Sequence, residues 1–71
     1  MATLEVTLTD GSSEFFHSAH RLESYYGVLQ PDGSLTVSRM EEAGDGSEPL
    51  VDEVVAQYRH GQFTGWSEKS M

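Results

Sequence analysis

His17 and His20 stand three residues apart, with Glu14 and Glu23 on either side. On a helix that spacing would put both imidazoles on one face, where zinc accepts them together with a carboxylate. The stretch instead reads as a strand that bends at Ala19, so the two rings need not meet, and His60 falls at a turn tip. A structural or solvent-facing role is therefore the reading for the histidines, and no metal or cofactor is expected. Glu41, Glu42, Asp45 and Glu48 offer oxygens in a glycine-bearing stretch, without the ordered ligand spacing of a calcium loop. With no cysteine in 71 residues, thiol catalysis, thiolate-held metals and disulfide staples are excluded. The chain carries no nucleophile elbow, no phosphate-cradling glycine loop with its lysine and no HExxH helix. An enzyme is not expected.

The aromatic residues are the better functional lead. Phe15-Phe16, Tyr25-Tyr26, Tyr58, Phe63 and Trp66 are many rings for so short a chain. Adjacent residues on a strand point to opposite faces, so one member of each doublet must turn outward. Twelve acidic residues face four basic ones, a formal net charge of -8. Direct binding to nucleic acid or to an anionic membrane is disfavoured, because phosphate neutralisation needs clustered Lys and Arg. Arg21, Arg39 and Arg59 are single and scattered. The acidity serves solubility, or else a surface that docks on a basic partner. Phe16, Tyr26 and Trp66, with Glu41, Glu42, Asp45 and Glu48, form the expected partner-binding set.

The elements that must position these residues are strands. Three Xaa-Gly turn signals, Asp10-Gly11, Asp32-Gly33 and His60-Gly61, each lie between strand-like runs. Leu4, Val6 and Leu8 alternate with Thr and Glu, the period of a strand with one buried face. A two-residue Asp10-Gly11 turn would set Val6 opposite Phe15 and Leu4 opposite His17, with Phe15 inward and Phe16 outward beside Glu5. The Pro31-Asp32-Gly33 turn sets Leu29 opposite Leu35, Gly27 opposite Val37 and Tyr25 opposite Arg39. Gly27 within its strand signals a bulge or the close approach of another side chain.

Residues 41–49 hold four acids, two glycines and a proline without an apolar anchor, and read as a mobile loop. Leu50 to Tyr58 is ambiguous. Its apolar residues fall on one face of a helix, yet Val51, Val54 and Val55 are β-branched. The strand is favoured, paired through the His60-Gly61 turn so that Tyr58 faces Phe63, Ala56 faces Gly65 and Val55 faces Trp66. The expected fold is thus mainly β: one domain over 1–71, a small antiparallel sheet or partly open barrel built from three hairpins. The alternative is an α+β domain with one helix near 49–60. A frayed tail is expected at 69–71.

The Val-Thr-Leu-Thr-Asp-Gly strand and turn, the Gly-Val-Leu strand before Pro-Asp-Gly, and the closing Val-Val-Ala-Gln-Tyr…Gly…Trp pair resemble small all-β accessory proteins of actinobacteria and their phages. The chain has no Asn, no Ile and one Lys, a codon bias of GC-rich genomes that agrees with that source. The resemblance implies no activity, cofactor or catalytic residue. No apolar run approaches the ~20 residues of a membrane span. Met1 to Glu5 lacks the features of a signal peptide, so a cytoplasmic location is expected. The expected function is a small acidic protein-interaction module or regulator without catalysis. Its partner is another protein, one with a basic surface. The alternative is an acidic mimic of nucleic acid that inhibits a nucleic-acid-binding protein. A structural homo-oligomer ranks below both, although a homodimer burying an edge strand would suit so small a chain.

Overall fold

Leu4 and Val6 project from the same face of strand β1 (Ala2–Leu8), and both are fully buried. In the computed structural model, which describes residues 2–42 and 49–70, β1 is the middle of a three-stranded sheet. Its neighbours are β2 (Ser13–His17) and β6 (Phe63–Ser70), both antiparallel to it. A second antiparallel sheet holds β3 (Glu23–Leu29), β4 (Leu35–Glu42) and β5 (Pro49–Tyr58), with β4 in the middle. Leu35 and Val37 of β4 meet Leu4, Val6 and Tyr58 in the core. Leu8, Phe16, Tyr25, Ala56, Phe63 and Trp66 pack around that centre. Each aliphatic side chain fully buried there contributes about 1.5–3 kcal/mol relative to exposure. The fold is all-β, without a helix among the described residues and without a closed barrel.

The first hairpin departs from the expected register by one residue. The Leu8 N–H donates to the Ser12 carbonyl at 2.8 Å, so Thr9, Asp10 and Gly11 form a three-residue loop. Asp10 Oδ1 accepts from the Ser12 backbone N–H and from the Ser12 hydroxyl, at 2.8 and 2.6 Å. That local bonding selects the longer loop. The ladder then pairs Leu4 with Phe16, Glu5 with Phe15 and Val6 with Glu14. A one-residue slip exchanges the faces of a strand. Phe16 therefore turns inward, its ring 5.7 Å from that of Tyr25, while Phe15 is outward and 53% exposed. The second turn repeats the chemistry, with Asp32 Oδ1 accepting from the Ser34 N–H and hydroxyl at 2.9 and 2.6 Å. Gly11 and Gly33 sit at φ 91° and 88°, where a Cβ would be strained. Here the register is the expected one, Leu29 to Leu35, Gly27 to Val37 and Tyr25 to Arg39.

The His60-Gly61 connection is a corner between sheets, which corrects the third expected hairpin. β6 leaves β5 and pairs with β1, setting Val6 against Trp66 and Leu8 against Phe63. β1 is buried on one face and needs a ladder on both edges, which β2 alone cannot supply. Tyr58 and Phe63 still touch edge to face at 6.5 Å, across the corner instead of along a ladder. Residues 49–58 form a strand, as favoured, and the helical alternative is overturned. Val37 pairs with Ala56 and Ser38 with Val54, so Val55 is the extra residue of a bulge. Glu41 and Glu42 belong to β4 and Pro49 opens β5, which shortens the expected loop from both ends. Residues 43–48 lie outside the described residues. Lys69 and Ser70 are laddered to Thr3 and Ala2 and are not frayed.

Gly27 is a close approach. A Cβ built there would lie 2.6 Å from Trp66 Nε1, so the indole packs directly on the β3 backbone. Gly27→Ala is expected to push Trp66 off β3 and to cost about 1–3 kcal/mol of stability. Urea unfolding followed by tryptophan fluorescence measures both the loss and the displaced ring.

Candidate functional site

Beyond Val37 the inward side of β4 changes character. Leu35 and Val37 are apolar, but the next residues on that side are Arg39 and Glu41. Register sets Glu23 of β3 opposite Glu41, and Arg39 opposite both Tyr25 and Glu53 of β5. Arg39 then bonds three carboxylates. Its Nε donates to Glu23 Oε2, its Nη2 to Glu41 Oε2 at 2.7 Å, and its Nη1 to Glu53 Oε1 at 3.1 Å. Glu23 is buried, and its Oε1 also accepts the Ala19 backbone N–H at 2.7 Å. That amide, and then the guanidinium, hold the Glu23 carboxyl below its ordinary range. The Glu23 hydrogen bond in turn raises the Arg39 pKa.

Glu42, at the end of β4, and Asp52, opposite Met40, complete an acidic pole. Of its carboxylates, Glu23, Glu41 and Glu53 share one guanidinium, while Asp52 stands on the other side of the sheet. His20 Nε2 approaches Glu41 Oε2 at 3.7 Å, and Arg21 in the same connection forms no ion pair among the described residues. His20, Glu23 and Glu41 bring their ligand atoms within 4.8 Å of one another. Arg39 occupies oxygens of both carboxylates, so the group is an ion-pair cluster and the arrangement does not point to a metal. His17 is elsewhere, with Nδ1 3.1 Å from the Thr3 hydroxyl.

The other side of this sheet also carries exposed apolar residues. Tyr26, Ser38 and Val54 form one row across it, and Ser24, Met40 and Asp52 the next. The Tyr26 hydroxyl donates to Asp52 Oδ1 at 2.7 Å, and this bond raises the phenol pKa. Val28, Val54 and Val55 are exposed beside it. At the opposite end of the molecule the buried Tyr58 hydroxyl donates to Glu14 Oε2 at 2.6 Å. Burial first, and that bond second, push its pKa far above the ordinary tyrosine value. Tyr58 and Gln57 border two open grooves of about 720 and 420 Å3. The larger reaches Arg59 and the smaller reaches Glu14.

The residues singled out from sequence are therefore dispersed. Glu41 and Glu42 lie at the acidic pole and Tyr26 on the adjoining outer face. Phe16 and Trp66 pack against the core, with Trp66 6.3 Å from Phe63, so neither is an outward ring. Asp45 and Glu48 lie outside the described residues. Glu23 was named only beside the histidines, and Arg39, Asp52 and Glu53 were not singled out as site residues; only strand register brings Glu23, Arg39 and Glu53 together. No protein-family model matches the chain, and neither the characterised proteins nor the solved structures compared with it include a similar one. No helix among the described residues is long and apolar enough to cross a membrane.

A carboxyl whose pKa is lower in the folded chain stabilises it above the unfolded value, and that contribution is lost as pH falls through the folded value. Glu23→Gln is expected to be less stable than wild type at neutral pH. The difference should shrink as pH drops below about 4.3, the ordinary glutamate value. Urea midpoints between neutral and acidic pH measure this, and a gap that stays constant would remove Glu23 as the titrating group.

Proposed function

We propose that this chain is a non-catalytic interaction module that docks a basic protein segment at the open end of the β3–β4–β5 sheet. The observation that carries it is the register-built acidic pole: carboxylates from three strands converge with a single guanidinium among them. The exposed Val54 and Val55 adjoin that pole and offer apolar contact beside the charge. Interfaces combine a partly apolar centre with a polar rim, and like-charge partners are rejected at such a surface. A chain of net charge -8 adds long-range attraction for a basic partner. If that partner is a nucleic-acid-binding protein, the carboxylates stand where phosphates would, and affinity should fall steeply with salt.

The test is a nuclear magnetic resonance titration with a blocked octapeptide alternating lysine and valine, and with its glutamate counterpart. Shifts are expected at residues 39–42 and 51–55 with the basic peptide alone. The double variant Glu42→Lys and Asp52→Lys should bind it at least about tenfold more weakly, since each reversal replaces an attraction by a repulsion. Shifts confined to the Glu14 and Arg59 grooves would refute this placement.

A further inference from the structure

Tyr26 reaches across its own sheet. It stands on β3 opposite Ser38, yet its hydroxyl donates to Asp52 on β5. β4 lies between those two strands, so the ring must lie over β4. Ser38 beneath it is only 6% exposed, although neither sheet covers that side. Tyr26 is itself partly exposed, so the ring over β4 keeps part of its surface open to solvent. Val54, in the same row, is 56% exposed. Asp52 Oδ1 takes the phenol hydrogen, and no donor among the described residues is paired with Oδ2.

Among the described residues no cation fills this position, and neither Arg21 nor Arg59 forms an ion pair there. Arg39 points to the opposite side of β4, where Glu23, Glu41 and Glu53 hold it, and Lys69 pairs with Glu5. A planar guanidinium can stack on an aromatic face and present an N–H edge to a carboxylate in the same plane. An ammonium is a compact, strongly hydrated point charge that gains the carboxylate and little from the ring.

We propose that Tyr26 and Asp52 form an arginine-selective spot, which holds a partner's guanidinium over the phenol ring and against the unused Asp52 oxygen. This rests on the acidic pole being the docking surface and specifies the cation it selects. Val54 and Val28 flank the ring and fit apolar neighbours of that arginine. The tyrosine hydroxyl keeps the carboxylate in place before binding, so less ordering is required when the partner arrives.

Two blocked octapeptides, one alternating arginine with valine and the other lysine with valine, are titrated in turn at about 20 mM salt, where screening is weak. The arginine peptide is expected to bind at least about fivefold more tightly, with the largest shifts at Tyr26, Asp52 and Val54. Tyr26→Leu, checked for folding by its thermal transition, should bring the two affinities together. Equal binding by wild type would overturn the spot while the acidic pole stands, and no binding of either peptide would overturn both. A preference for arginine that survives in Tyr26→Leu and in Asp52→Asn would also overturn it. Light scattering covers self-association: a dimer that dissociates in Tyr26→Leu would assign the spot to a second copy and overturn an external partner.

Discussion

The Arg39 guanidinium is the tie on which the second sheet depends. β4 presents Leu35 and Val37 to the core, and the same period then brings Arg39 and Glu41 to positions with no apolar layer to receive them. Three charge-assisted hydrogen bonds from one fork join β3, β4 and β5 where hydrophobic contact has run out. A lysine could not replace it, having neither the fork nor the reach to three carboxylates at once. Glu23 is the member most dependent on the arrangement, because a buried carboxylate without its partners is costly. The remaining carboxylates are more exposed and keep their charge available to solvent.

Period-2 patterning made the strands legible, and the β-branched valines correctly separated β5 from a helix. The second hairpin was legible to the residue because proline, aspartate and glycine together leave few loop geometries. The first differs by one position from the register the sequence suggests, since Asp10-Gly11 alone suits a two-residue turn. Ser12 decides for the longer loop, since a hydroxyl and an amide following Asp-Gly both bond the aspartate. The Asp-Gly-Ser sequence recurs at 32–34 and acts there in the same way. Little of the candidate site could be read. Glu23, Arg39 and Asp52 are far apart in the chain, and charged residues show no periodicity that foretells which strands will be neighbours. The corner at His60-Gly61 was illegible for a related reason, because its residues suit a hairpin equally well and the competing edge of β1 decides.

Few side chains are fully buried, and the exposed valines follow from that economy. A two-sheet core of Leu4, Val6, Leu35, Val37 and Tyr58 covers one side of each sheet. The outer side of β3–β4–β5 has Thr36, Ser38 and Met40 along its middle strand, with Tyr26, Val28 and Val54 on the flanks. The inner side carries the stability, which leaves the outer side free to vary. The Val55 bulge adds local twist and interrupts the regular edge of β5, a device that discourages further strand pairing. On the proposed reading, the sheet's face, more than its edge, is where a partner gains contact.

The ladder between β1 and β6 has a consequence for how the chain is made. It pairs residues 2–8 with residues 63–70, so β1 finds its second neighbour only after the more than fifty residues between them have been made. At about 5–20 residues per second, β1 waits several seconds with one edge open. Contacts so distant along the chain also slow the search once synthesis ends. During that interval β3, β4 and β5 can already close around Arg39, so the polar tie would form before the apolar core is sealed.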